Sequence, residues 1–124
     1  MSTPEVKTYK AGQAIFSEGD TSHSMFLVCK GTVSIRKRKG KAQVELARVF
    51  ENEVIGELAF FDRKQRSAYA IAMTEVEAME ISFESLQQIY ESIPDYLKTI
   101  MASVAERLRK ADVLIRKLQS DTVS

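Results

Sequence analysis

Short apolar and alternating segments, separated by turn residues, fill the first two-thirds of the chain. They are rich in Val, Ile and Phe and recur about every 8 to 12 residues, a spacing typical of an antiparallel roll or barrel. Such a roll can hold one small ligand. The predicted strands are 14–16, 25–29, 32–38, 43–50, 67–73 and 76–81, and turn signals lie at Gly12, Gly19, Gly31, Gly40, Asn52 and 74–75.

A helical pattern replaces the strand pattern from Ser82 onward. Ser82 is a typical helix N-cap with Glu84 in the first turn, and Pro94 ends this helix beyond Glu91. Pro94 also suits the first turn of a second, longer helix. We therefore predict an α+β fold, an antiparallel β-roll over about 7–81 followed by C-terminal helices over about 82–119, the last one long. Because 124 residues leave no room for a second core, 1–124 is expected to be a single domain.

Apolar residues in the predicted long helix recur at alternating intervals of four and three. This spacing forms a seam of three heptads, which is typical of pairing between helices. The alternative is that the stripe packs on the roll of its own chain. We expect a homodimer through this helix, with a seam made of Leu97, Met101, Val104, Leu108, Ala111, Ile115 and Leu118.

Composition narrows the class of protein. The chain is 44% hydrophobic and 28% charged, and its 18 basic residues nearly balance 17 acidic ones, which disfavours a dedicated nucleic-acid-binding protein. No segment approaches the roughly 20 apolar residues of a membrane span, and residues 1–5 do not resemble a signal peptide. A cytoplasmic protein without membrane contact is expected. Cys29, the single cysteine, lies in an apolar run and is predicted to be a core residue.

The segment 56–68 combines residue types that suit an anionic ribose ligand. A helical turn over residues 58–61 would offer free backbone N–H groups to an anion, and Gly56 would let the chain enter that turn closely. The planar guanidinium of Arg66 can bind a phosphate with two parallel hydrogen bonds, and Ser67 adds a hydroxyl donor. Ionised Glu57 only accepts hydrogen bonds, so it suits a sugar hydroxyl, although it also suits a turn cap or an ion pair with Arg66.

At these residues the chain resembles the cyclic nucleotide-binding domains of catabolite activator proteins, kinase regulatory subunits and gated channels. Their phosphate-binding cassette reads Gly-Glu-Leu-Ala, several residues, then Arg-(Ser/Ala/Thr)-Ala. The resemblance also includes upstream turn residues and residues 107–108, and so covers nearly the whole chain. It implies a cyclic nucleotide bound by Gly56, Glu57, Leu58, Ala59, Arg66, Ser67 and Ala68, with Leu58 and Ala68 in the pocket wall.

Three features depart from the family pattern. Asn52 replaces a turn glycine, which is acceptable because Asn adopts left-handed conformations more readily than most residues. Gln65 replaces a frequent proline, so the free loop is expected to be less rigid. Ala111 and Asp112 replace the polar pair that some dimeric members direct to the base from the long helix.

The base preference is predicted from Asp112. If the long helix folds over the pocket, its carboxylate accepts a hydrogen bond from the adenine amine and opposes the guanine carbonyl oxygen. Cyclic AMP is therefore the expected ligand. Cyclic GMP remains the alternative, because a threonine directly after the cassette arginine accompanies cyclic GMP binding in the family and Ser67 is a weaker version of that donor.

These features predict a cyclic nucleotide sensor that signals through movement of its C-terminal helix to an effector on another chain or in a domain outside this sequence. The rival prediction is a dimerising scaffold of the same fold without nucleotide binding. The basic segment 36–41 is expected to be a charged hairpin tip, with contacts to nucleic acid, an acidic protein surface or lipid headgroups ranked lower. No nucleophile and base pair is recognisable, and His23 is the single histidine, so neither an enzyme nor a multi-histidine metal site is expected.

Overall fold

The computed structural model describes residues 4–57, 59–60 and 64–123, without the side chains of residues 112, 115, 116 and 119–123. Antiparallel strands form two four-stranded sheets and are followed by two helices, the last one long, which confirms the predicted α+β fold. The elements are β1 (Glu5–Tyr9), β2 (Ala14–Phe16), β3 (Ser24–Lys30), β4 (Val33–Lys39), β5 (Ala42–Val49), β6 (Val54–Ile55), β7 (Tyr69–Ala72), β8 (Val76–Ser82), α1 (Phe83–Ser92) and α2 (Asp95–Val123).

The two sheets have the strand orders β1-β8-β3-β6 and β2-β7-β4-β5. Successive side chains of a strand point to opposite faces, so every second residue enters the core. Strand β3 shows this alternation clearly, because Ser24, Phe26 and Val28 are buried while Met25 and Leu27 are only half-buried. The core cluster consists of Tyr9, Phe26, Val28, Val33, Ile55, Ala70, Ala72, Val76 and Ala78.

Two strands and the position of the cysteine differ from the sequence prediction. Strand β1 was not predicted because four of its five residues are exposed, and β6 has only two residues. Cys29 is exposed, so its assignment to the core was wrong. Cys29 follows Met25 and Leu27 at intervals of two, so it lies on the outward face of β3, opposite to Phe26 and Val28.

The predicted turns are present. Asn52 adopts a φ of 70°, and its backbone N–H donates to the Val28 carbonyl at 2.8 Å. The basic segment 36–41 is a hairpin tip as expected, because Lys39 pairs with Ala42 across a two-residue turn. Its residues 37–41 are exposed.

The chain divides into two compact units, Met1–Gln88 and Ile89–Ser124. Ser82 caps α1 as predicted, since its Oγ accepts a hydrogen bond from the Ser85 backbone N–H at 3.1 Å. Pro94 immediately precedes α2, and its carbonyl accepts from the N–H groups of Leu97 and Lys98. It therefore holds the cap position and not the first turn. Within the described part of the chain, no helix is long and apolar enough to cross a membrane.

Candidate functional site

Arg66 is fixed at the backbone by the turn that precedes β3. Its N–H donates to the Asp20 carbonyl at 2.8 Å, and its own carbonyl accepts from the Gly19 N–H at 2.8 Å. Gly19 has a φ of 90°, a conformation that side-chain-bearing residues rarely adopt. The predicted turn at Gly19 therefore positions Arg66, the residue predicted to bind the phosphate.

The Arg66 side chain is buried, with only 7% of the residue exposed. Its guanidinium carbon lies 4.3 Å from the ring centroid of Phe16 and 5.8 Å from that of Phe26. Nη2 donates to the Ser24 carbonyl at 2.6 Å. Stacking uses the face of the guanidinium, so the in-plane N–H groups remain available for acceptors.

Burial has an electrostatic consequence for this arginine. It lowers the pKa of Arg66 from its ordinary value, while the carboxylates of Asp20 and Glu80 act in the opposite direction. Arginine nevertheless keeps its charge in proteins. Burying a cation costs free energy unless nearby groups compensate its charge, so the site favours binding of an anion.

One donor of this guanidinium lacks a hydrogen-bond partner in the described part of the chain. Nη1 of Arg66 is buried and makes no hydrogen bond to any described residue. It lies directly against Gly56, where a Cβ atom would overlap with it. Gly56 also adopts a φ of 84°. The structure thus brings together Gly56 and Arg66, ten positions apart in sequence, and leaves an unsatisfied donor at their junction.

We expect Gly56→Ala to weaken anion binding and to destabilise the fold. The left-handed conformation alone costs an L-residue roughly 1–2 kcal/mol, and the added methyl group must also displace Nη1. Gly12→Ala is the matched control, because Gly12 has a φ of 89° but open space around its Cβ position. Thermal unfolding should therefore show a greater loss for Gly56→Ala. Equal losses would mean that Gly56 serves only the backbone turn.

The structure describes part of the remaining cassette. Ala59 and Phe60 are helical, and the Phe60 N–H donates to the Glu57 carbonyl at 3.2 Å. Leu58 lies outside the described residues, as does the far end of the predicted helical turn. Ser67 is exposed and Ala68 is buried. The ligand roles of these residues stay predictions.

Glu57 is half-buried, and it does not form the ion pair with Arg66 that was one interpretation of the sequence. The described ion pairs do not join these two side chains, and the carboxylates that act on the Arg66 charge belong to Asp20 and Glu80. Glu57 therefore does not hold the arginine in place. Its carboxylate is available for the predicted acceptor role.

Sequence reasoning did not identify the residues that support Arg66. Phe16, Phe26 and Ser24 contact it directly, and Glu80 acts on its charge. One signal was available for Glu80, because it follows the core residues Val76 and Ala78 at intervals of two and so lies on the same face of β8. A carboxylate on a core-facing position indicates a nearby cation.

Two other predictions concern α2 and metals. The Asp112 side chain lies outside the described part of the structure, so its predicted contact with the base stays a prediction. Among the described residues, no group of three or more His, Cys, Asp or Glu side chains is placed to hold a metal ion.

Known proteins resemble this chain along most of its length. The family model described as "Cyclic nucleotide-binding domain" matches residues 6–92. The cyclic AMP receptor protein of Thermus thermophilus is 31% identical over 108 residues, which cover 86% of this chain and 50% of that protein. The chain spans about half the length of the curated relatives it matches.

Solved structures show the same fold. The catabolite activator protein of Thermus thermophilus superposes with a TM-score of 0.75 at 28% identity, over 94% of this chain and 55% of that one. The EAL enzyme Bd1971 is 27% identical in its cAMP-bound form, with a TM-score of 0.73 over 88% of this chain and 29% of that one. Its cGMP-bound form is also similar, with a TM-score of 0.75. On these grounds the chain belongs to the cyclic nucleotide-binding domain family.

Proposed function

We propose that this chain is a cyclic nucleotide sensor whose phosphate-binding group is Arg66. The observation that carries the proposal is the buried guanidinium with its unpaired Nη1 against Gly56. A cyclic phosphate would supply the missing acceptor and the compensating charge. Gly56, Leu58, Ala59, Ser67 and Ala68 are proposed to complete the phosphate site, by their positions in the cassette.

Cyclic AMP is the proposed ligand, with cyclic GMP as the alternative. A carboxylate at Asp112 would accept from the adenine amine and oppose the guanine carbonyl, whereas Ser67 offers the donor associated with cyclic GMP. The similar EAL enzyme was solved with each of these nucleotides. This supports the ligand class without separating its two members.

We propose that Glu57 accepts a hydrogen bond from the ribose 2′-hydroxyl. A hydrogen bond to a charged group contributes about 1.5 to 3 kcal/mol, so 2′-deoxy cyclic AMP should bind wild type about tenfold to a hundredfold more weakly. Glu57→Ala should respond little to the same deletion, because both changes remove one shared interaction. Titration of both proteins with both ligands tests this.

The control for Glu57 is Glu51→Ala, which removes an equal charge from the exposed turn before the cassette. This variant should keep the full sensitivity to the 2′-hydroxyl. Strictly additive losses in the Glu57 cycle would refute the pairing.

The output is proposed to pass through the C-terminal helix within a single functional module, residues 1–124. A ligand shifts an equilibrium only by its preference for one state, so bound nucleotide must favour one placement of α2. We further propose that the module acts in the cytoplasm as a homodimer through α2. Its effector lies on another chain or in another domain.

The rival proposal is a dimerising scaffold of this fold that binds no nucleotide. Calorimetric titration of the purified chain with cyclic AMP and cyclic GMP separates the two proposals, with linear 5′-AMP as a ligand control. Saturable heat with a cyclic nucleotide supports the sensor. If the folded protein gives no heat of binding with either cyclic nucleotide, the scaffold is supported.

A further inference from the structure

A charged group occupies the core-facing side of the sheet that contains β3. Glu80 lies directly opposite Phe26 in the antiparallel register, on the same face as Val76 and Ala78. Lys7, from the neighbouring strand β1, forms an ion pair with the Glu80 Oε1 atom. Hydrogen bonds lower the pKa of Glu80 from its ordinary value, the one from Lys7 more than the one from Ser24. Glu80 in turn raises the pKa of Lys7. The carboxylate is therefore held in its charged form.

Ser24 connects this group with the cassette arginine. Its Oγ donates to Glu80 Oε2 at 2.7 Å, and its backbone carbonyl accepts from Arg66 Nη2 at 2.6 Å. The residue is buried and pairs with Ser82 at the start of β3. Among the described residues, the buried guanidinium therefore has one hydrogen-bond acceptor, the Ser24 carbonyl. Ser24 is itself held by Glu80.

The direction in which the guanidinium presents its free donor depends on that carbonyl. The rings of Phe16 and Phe26 lie against the guanidinium but leave the direction of its individual N–H groups free. The Nη2 hydrogen bond removes this freedom, and so aims Nη1 toward Gly56. Misplacement of a binding group by a small distance is costly in affinity, because preorganisation is lost.

We propose that Ser24, Glu80 and Lys7 are positioning residues for the phosphate-binding arginine. This inference rests on the proposed function. Glu80 holds Ser24 through the Ser24 hydroxyl, and the Ser24 carbonyl fixes the direction of the Arg66 guanidinium. Lys7 holds Glu80 and neutralises its charge. The neutralisation matters, because a free carboxylate at this place would repel an anionic ligand as well as attract the arginine.

The second sheet supplies a matched control with the same chemistry. Ser34 Oγ donates to Glu45 Oε2 at 2.6 Å, and Glu45 forms an ion pair with Arg48 at 2.9 Å. Hydrogen bonds from Ser34 and Arg48 lower the pKa of Glu45, as those from Lys7 and Ser24 do for Glu80. This second group has no described contact with Arg66.

Affinity for cyclic AMP is the first readout. Ser24→Ala should weaken binding about twofold to tenfold, less than the loss of a direct hydrogen bond to a charged group, because Ser24 acts on the ligand only through Arg66. Glu80→Ala should weaken it similarly. The double variant should lose little more than either single one, because both remove the same connection. Ser34→Ala should bind as wild type does.

Unchanged affinity in Ser24→Ala would overturn the proposal. Tighter binding in Glu80→Ala would also overturn it, because that is the result expected if Glu80 acts only by repelling the ligand.

The second readout needs no ligand. In the free protein, nitrogen NMR of the arginine side chains should show slow rotation about the Nε–Cζ bond of Arg66, because this rotation must break the Nη2 hydrogen bond to the Ser24 carbonyl. The Arg66 signal is assigned by its disappearance in Arg66→Lys. Ser24→Ala and Glu80→Ala should accelerate this rotation, whereas Ser34→Ala should not. Lys7→Met, at an exposed position, provides a variant that leaves the core intact and should accelerate it in part. Unchanged rotation in the three site variants would overturn the positioning role, whether or not the nucleotide binds. Failure of wild type to bind cyclic nucleotide would instead refute only the proposed function.

Discussion

Arg66→Ala is expected to weaken cyclic nucleotide binding by roughly 30-fold to several thousand-fold. Removing one partner of a desolvated charge pair costs about 2 to 5 kcal/mol, much of it from the phosphate left without its cation. The loss falls at the upper end of that range if Nη1 and the second hydrogen of Nη2 both bind the phosphate, because a bidentate contact is then lost at once. Calorimetric titration of wild type and variant measures the difference.

Two further variants separate the chemistry of Arg66 from its packing and its charge. Arg48→Ala removes an arginine that is exposed and paired with Glu45 on the other sheet, so it should bind nucleotide normally. Arg66→Lys retains the positive charge but not the planar fork, so it should recover only part of the affinity. Circular dichroism and thermal unfolding should show that Arg66→Ala remains folded. A loss of affinity below about threefold would remove Arg66 from the phosphate site, since that corresponds to less than 1 kcal/mol.

Replacing Val104 and Leu108 with Glu is expected to convert a homodimer into a folded monomer. Both residues lie on α2 with about half of their surface exposed, 50% and 51%, and Leu97 and Leu118 of the same seam are also exposed. Exposed apolar residues at heptad spacing favour burial against a partner helix. Glutamates in that seam place like charges face to face in a dry interface, which a dimer relieves only by opening. Sedimentation at tens of micromolar protein measures the change.

The control for this pair is Ala102→Glu with Ser103→Glu, which adds the same charge to exposed positions of α2 outside the predicted seam. This variant should remain dimeric. A wild-type chain that is already monomeric at these concentrations would show that the seam does not join two copies of the chain.

Most of the strands and the cassette were predictable because local signals specify them. Glycine and asparagine mark left-handed turns, and Gly12, Gly19, Gly31, Gly40 and Asn52 all adopt positive φ as their turn positions require. Alternation then identifies the inward residues of strands that have one buried face. Cys29 shows that membership of an apolar run is not enough, because it lies on the outward face of β3 together with Leu27.

The supporting residues of the site were not predictable from local pattern. Arg66 meets Ser24 and Phe26 of β3, about forty positions earlier in the chain, and this contact depends on how the two sheets close. Strand β1 brings Lys7 to Glu80 although its sequence is mostly polar and exposed. Motif spacing indicates which residue contacts a ligand, but the groups that fix its geometry come from distant strands.

In the proposed sensor, the free donor of Arg66 receives the phosphate of a cyclic nucleotide. A crystal structure of the chain with cyclic AMP tests this most directly. We predict that Arg66 Nη1 lies about 2.7–2.9 Å from an equatorial phosphate oxygen, with Nη2 still bound to the Ser24 carbonyl. A nucleotide bound elsewhere, or a phosphate held without contact to Arg66, would contradict the account.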